Sequence, residues 1–114
     1  MTHPRHPLIG ATLALAALFV SSGALAFDEA AAKALAKRND CTKCHAIDKD
    51  KKGPAYKKIA SKQAGKPDAE EKLTKSITSG AKVKLSDGSE EEHKVIDTKD
   101  PKEIKNLVQW ILSL

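Results

Sequence analysis

Two kinds of hydrophobic pattern divide this chain. From Leu8 to Ala26 nearly every residue is apolar or small, with no polar face. From Asp28 onward, apolar residues recur at helical spacing between charged stretches. Asp28 to Arg38 consists mainly of Ala, Lys, Leu and Glu, all good helix formers. Its acids stand at the start and Lys37 and Arg38 at the end, as the helix dipole favours. A helix is expected here, ended by Asn39-Asp40. Ile47 to Pro54 is polar and reads as a loop. Pro54 opens a short helix through Tyr56, Ile59 and Ala60, an i, i+3, i+4 set, and Gly65-Lys66-Pro67 breaks it. Asp68 and Glu71 resemble a capping box for a third helix, which carries Leu73 and Ile77 and stops at Gly80. Ala81 to Lys99 holds Asp87-Gly88, three consecutive glutamates and His93, and reads as a long irregular loop. Pro101, at a favoured first-turn position, opens the last helix. Ile104, Leu107, Val108, Ile111, Leu112 and Leu114 form its apolar face, with Trp110 at the edge.

The apolar leader changes the picture first. Arg5 and two histidines precede it, and Ala24-Leu25-Ala26 closes it. A basic start, an apolar stretch and a small-residue exit are the marks of a secretory signal peptide. A retained anchor fits less well. Leu13–Val20 is short against the roughly 20 residues of a membrane span, and Ser21, Ser22 and Gly23 interrupt the run. Cleavage is expected after Ala26, so residues 1–26 are a leader and 27–114 one exported, periplasmic domain with no membrane attachment.

That domain is small for a self-sufficient core, and its only aromatic residues are Phe27, Tyr56 and Trp110. Domains of this size usually need a staple such as a disulfide, a metal or a cofactor. Net charge is +5 over the whole chain, and the leader takes away Arg5 and no acid. Lys43, Lys49, Lys51, Lys52, Lys57, Lys58, Lys62 and Lys66 cluster around and after the cysteines. They make either a solvated surface or a docking face for acidic partner proteins. No aromatics interleave with them, so nucleic-acid binding has no support.

Both cysteines lie in Cys41-Thr42-Lys43-Cys44-His45. Two thiols at this spacing can form thioethers to both vinyl groups of one haem, while the adjacent histidine meets the iron from one face. A lone zinc ion normally needs four ligands, and no second Cys or His pair exists at zinc spacing. A thioredoxin-like pair needs a βαβ context that this chain lacks. A plain disulfide stays compatible with export. Export, helical context and the thin core favour one covalent haem c.

The domain resembles class I cytochrome c, of the small bacterial cytochrome c-551 type. The resemblance rests on the helix before Cys41, on Cys41–Asp48, on Gly53-Pro54-Ala55-Tyr56, on Ala69–Leu73 with Ile77–Gly80, and on Leu107–Ser113. It omits the loop from Ala81 to Pro101. It implies an all-α fold of about four helices around the haem, with the first and last helices crossing. It also implies that the Pro54 carbonyl accepts a hydrogen bond from His45, the proximal axial ligand.

One departure matters. The family usually supplies a methionine from the loop before the last helix as second iron ligand, but the only methionine here is Met1. His93 stands close to where that methionine would fall, and beyond the leader His45 and His93 are the only histidines. His93 is either a solvent-facing residue among Glu90, Glu91, Glu92 and Lys94, or the distal axial ligand, for which neutral imidazole is suited. Lys82, Lys84 and Lys94 are weaker candidates, since a lysine must first lose a proton held with a pKa of about 10.4. The favoured expectation is a bis-histidine, low-potential, one-electron carrier, monomeric or part of a small complex, with no residue acting as a catalytic acid or base. The rival expectation is a haem-based binder or sensor of NO, CO or peroxide, and a small peroxidase is a weaker third.

Overall fold

A computed structural model of the chain describes residues 27–114 together with Met1, and the expected leader falls on residues outside this range. Four helices, α1 (Glu29–Arg38), α2 (Tyr56–Gln63), α3 (Ala69–Thr78) and α4 (Pro101–Leu112), surround a small core. A single 3-10 turn, Cys41–Lys43, follows α1. No described helix is long and apolar enough to cross a membrane.

The first helix starts where Asp28 accepts a hydrogen bond from the Ala31 N–H at 3.0 Å, which satisfies one of the unpaired amides of the first turn. Its buried face is Ala32, Leu35, Ala36 and then Asn39, a period of three and four. The two alanines leave room for α4 to pack closely, and Leu107 and Val108 are each only 1 % exposed. The start of α1 is also tied to the middle of α4. Asn106 accepts from the Asp28 N–H at 2.6 Å and donates to the Asp28 carbonyl at 2.8 Å. Pro101 opens α4 as expected, behind an Asp100 side chain that accepts from the Lys102 N–H. Both α2 and α3 pack on α4, so the last helix is the spine of the domain.

Three expectations need correction. Trp110 is not at the edge of α4 but buried, edge-on to Tyr56 with ring centres 5.5 Å apart. Asp68 and Glu71 form no capping box. The Asp68 carboxylate turns instead to Lys72 one turn on, at 3.1 Å, so the ion pair takes the cap's acceptor. The four-helix fold stands as expected, but its loop 81–99 is not irregular throughout. Within the supposed loop 81–99, β1 (Lys82–Lys84) pairs antiparallel with β2 (Glu90–Glu92), in the register Lys82↔Glu92, Val83↔Glu91, Lys84↔Glu90. Gly88, at φ +87°, and the Asp87 side chain, which accepts from Ser89 N–H and hydroxyl, build the turn. Opposite charges facing across the strands favour this pairing where hydrophobic alternation does not.

Candidate functional site

The residues after α1 are shaped to bring both cysteines to one place. Asp40 takes a left-handed conformation, φ +57°, unusual for a side chain with a Cβ, and turns the chain into the Cys41–Lys43 turn. Hydrogen bonds from the Cys44 and His45 amides to the Cys41 carbonyl close this turn. Cys41, Cys44 and His45 are each half-buried at the rim of a cavity of about 400 Å³. Burial pushes the Cys41 thiol up from its ordinary pKa, so it stays protonated at neutral pH.

His45 is held from several sides. Its Nδ1 lies 2.6 Å from the Pro54 carbonyl, the bond that the resemblance implies. Its ring stacks on Tyr56 with centres 5.3 Å apart. Gly53 lies so close that a Cβ there would sit 2.7 Å from His45 Cε1, so glycine at this position is required by the ring itself. Asp50 braces the loop by accepting from the Ala55 N–H and from Lys58, both at 2.8 Å. Burial lowers the His45 pKa, which keeps the imidazole neutral as a metal ligand must be.

The opposite wall comes from the hairpin. The His93 N–H donates to the Ala81 carbonyl at 2.9 Å, continuing the β ladder by one step. The two-residue period of a strand then places His93 on the same face as Glu91, opposite Val83, and Val83, Leu85 and His93 all line the cavity. His93 is half-buried rather than solvent-facing. The His45 and His93 ring centres are 6.2 Å apart, with planes tilted by 43°. Each Nδ1 is engaged by a carbonyl: Pro54 for His45, and Lys94, at 3.0 Å, for His93. Of the lysines considered, Lys84 and Lys94 reach the cavity wall and Lys82 does not. Lys94 is drawn to Asp40, 3.8 Å away.

Between the two histidines the walls are largely apolar, with Tyr56, Ile59, Leu73, Ile77 and Ile96 among them. Gln63, also on the wall, has a buried side-chain oxygen with no hydrogen-bond partner among the described residues. No group of three or more His, Cys, Asp or Glu side chains gathers among the described residues to hold a lone metal ion. A flat apolar macrocycle with a central metal and two reactive vinyl groups fits these features: two rim thiols, apolar walls and facing imidazoles.

The cytochrome c family model matches residues 29–114, which is all of this fold. The chain belongs to the cytochrome c family. It is therefore a monohaem c-type cytochrome, an electron carrier with one covalently attached haem, and Cys41 and Cys44 fit the attachment motif. The cytochrome is 38% identical over 80 residues to cytochrome c-552 of Hydrogenobacter thermophilus, covering 70% of this chain and 78% of that one. Against cytochrome c-551 of Pseudomonas aeruginosa it is 37% identical over 79 residues, covering 69% and 72%. Among solved structures it is similar to the class 1 cytochrome MtoD from Sideroxydans lithotrophicus ES-1. The match has 60% identity and a TM-score of 0.74, and covers 77% of this chain and 97% of that one. Wild-type Nitrosomonas europaea cytochrome c552 matches at 33% identity and a TM-score of 0.59, covering 72% and 98%.

One buried polar residue beside the site had little sequence signal. The cytochrome's Asn39, 2 % exposed, bonds to Asp97 far along the chain. The signal that could have found it is an apolar helical face that continues onto a polar residue.

Proposed function

We propose that this cytochrome is a bis-histidine, low-potential carrier. Cys41 and Cys44 hold the haem as thioethers, His45 is the proximal iron ligand and His93 the distal one. The observation that carries this reading is the pair of facing rings. Two imidazoles bound to one ion from opposite sides, each with its nitrogen about 2 Å from the metal, have ring centres about 6 Å apart. The 6.2 Å between His45 and His93 is that spacing. The carbonyl on each Nδ1 selects the tautomer with its proton there, which leaves both Nε2 atoms as donors.

Haem iron supplies one-electron chemistry, and the chain's part is to fix its ligands and surroundings. Pro54 sets the His45 tautomer, Tyr56 and Gly53 fix its plane, and the apolar walls exclude water. With imidazole in place of the family's methionine sulfur, the ferric state is favoured and the potential falls. The same reading takes residues 1–26 as a cleaved export signal, places the mature chain in the periplasm, and assigns it redox partners with acidic docking surfaces. Lys49, Lys52, Lys57, Lys62 and Lys66 support that last point: all are exposed, and none has an ion pair among the described residues.

Electron paramagnetic resonance and visible spectra of the ferric protein test the assignment. A low-spin iron with two nitrogen axial ligands and no sulfur-to-iron charge-transfer band is the expected result. His93→Ala should convert the iron to a high-spin form and let the reduced protein bind CO. An unchanged low-spin spectrum in that variant would remove His93 from the iron. Rapid CO binding by the unaltered protein would favour the ligand-binding reading instead.

A further inference from the structure

We infer that Asn39 and Asp97 position the distal ligand, by fastening the segment that carries His93 to the turn that carries Cys41. The inference rests on His93 being that ligand. Asn39 ends α1 two residues before Cys41, and Asp97 stands four residues after His93. Among the described residues Asn39 is the buried polar one, and its side chain makes three hydrogen bonds. Nδ2 donates to the Leu35 carbonyl and to Asp97 Oδ1, both at 3.0 Å. Oδ1 accepts from the Asp97 N–H at 2.8 Å. Asn39 thus grips the backbone and the side chain of Asp97 together. Arg38 completes the grip from the outside, donating to the carboxylate at 3.0 and 3.3 Å.

The rest of the segment has few other ties. On one side His93 is bound to Ala81 by a single ladder bond. On the other, buried Ile96 donates to the Ile77 carbonyl at 2.9 Å. Lys94 and Val95 between them are exposed. Without the Asp97 clasp, the stretch after His93 is held to the body by the Ile96 backbone bond and buried side chain and by the exposed Lys94–Asp40 ion pair. A buried amide is costly unless fully paired, and an apolar residue would fill the same space more cheaply. What Asn39 adds over an apolar residue is direction: it sets how far from the Cys41 turn the distal strand lies.

Three holoprotein variants test this by ferric spin state and by CO binding to the reduced form, each measured well below its melting temperature. Asp97→Ala removes the exposed carboxylate that accepts from the Asn39 amide and from Arg38, keeps the backbone N–H that donates to Asn39 Oδ1, and should still fold. Losing the carboxylate's hydrogen bonds to Asn39 and Arg38 should raise the open, high-spin fraction and the CO-binding rate by about tenfold. Asp97→Asn keeps an oxygen for the Asn39 amide and should stay within about twofold of the unaltered protein. Thioether attachment should be complete in both. If Asp97→Ala melts earlier yet keeps the unaltered spin state and CO rate, the pair is only structural and the inference fails. His93→Ala, run alongside, separates the two levels. If it leaves the low-spin spectrum intact, the ligand assignment itself has failed. If it opens the iron while Asp97→Ala does not, only the positioning role has.

Discussion

The two imidazoles that face each other across the cavity are held by very different means. His45 sits in a nest built from its own sequence neighbourhood: the Cys41–Lys43 turn below, Gly53 and Pro54 beside it, Tyr56 stacked on it. Every contact lies within about one loop of the ring, and most are to backbone or to a buried aromatic. His93 stands at the end of a two-stranded hairpin whose β2 residues are all exposed. Its ring bonds to its own neighbour's carbonyl, and its backbone depends on Ala81, Ile77 and Asp97. The proximal side is therefore rigid by local construction, and the distal side is placed by long-range ties. A weak field of contacts around a ligand makes local opening cheaper there than elsewhere. With both imidazoles on the iron as proposed, ligand exchange should begin at His93 and not at His45.

Two glycines put the largest contrast to the test. At Gly53, alanine brings a Cβ within 2.7 Å of His45 Cε1 and 3.1 Å of Nδ1, so the ring must move off the Pro54 carbonyl. Gly53→Ala should lose most of its covalently bound haem on expression, measured as haem per polypeptide. At Gly80, φ is +66° and a Cβ would meet Val95 Cγ2 at 3.2 Å, next to the distal segment. Gly80→Ala should cost a little over 1 kcal/mol from the strained backbone and still acquire haem fully, with a larger high-spin fraction. Equal phenotypes from the two would dissolve the distinction between the sides.

A core substitution supplies a neutral comparison. Ile104 on α4, 9 % exposed, packs in the same core cluster as Leu107 but does not line the cavity. Ile104→Ala should lower stability by about 2–5 kcal/mol through lost burial and a residual cavity. Its ferric spectrum at low temperature should stay that of the unaltered protein, because neither imidazole is displaced. Opening of the iron in this variant would mean that distal ligation follows global stability and not the local ties.

How much of this was legible follows the same division. The helices were readable because their signals are local: Asp28 and Glu29 at a helix start, Pro101 at a first turn, and apolar residues at threes and fours. The motif Cys41–His45 declared the cofactor for the same reason. The hairpin was missed because β2 is three glutamates with no apolar alternation, leaving only Asp87-Gly88 as a clue. Trp110 was put at an edge because its burial depends on Tyr56 from another helix. Asn39 and Asp97 lie 58 positions apart, and nothing in the spacing of either announces the other. His93 was singled out as a candidate by elimination among ligand types, whereas its distance from His45 needed the fold.

Acid separates the two sides more gently. The Arg38 guanidinium, and after it the Asn39 amide, hold the Asp97 carboxyl below its ordinary range. Its folded pKa is thus lower than the unfolded value of about 3.9, so the ionised carboxylate contributes stability above that pH. That contribution is lost as pH falls through the folded value. Glu103, 3.8 Å from Arg38, shares the cation and softens the loss. The Pro54 carbonyl that holds His45 does not titrate. Below about pH 4 the unaltered protein should show a growing high-spin fraction, and Asp97→Asn should flatten the part due to this carboxyl. Identical acid profiles would place the acid-sensitive group elsewhere.

The smallest effect concerns charge at the surface, where the two sides again differ. On the hairpin each lysine faces a glutamate, Lys82 opposite Glu92 and Lys84 opposite Glu90, so little field extends outward. Around the proximal loop and α2, Lys52 and Lys57 are exposed and have no ion pair among the described residues. Charges of one sign near the transfer site speed encounter with an oppositely charged partner, and salt screens them over about 10 Å at 0.1 M. Lys52→Gln with Lys57→Gln should slow electron transfer to an acidic partner protein a few-fold at low ionic strength and scarcely at all at high salt. Lys82→Gln with Lys84→Gln should leave the rate unchanged or slightly lower at both. A larger loss from the hairpin pair would move the docking face to the distal side, and the loosely held ligand would then lie beneath the partner.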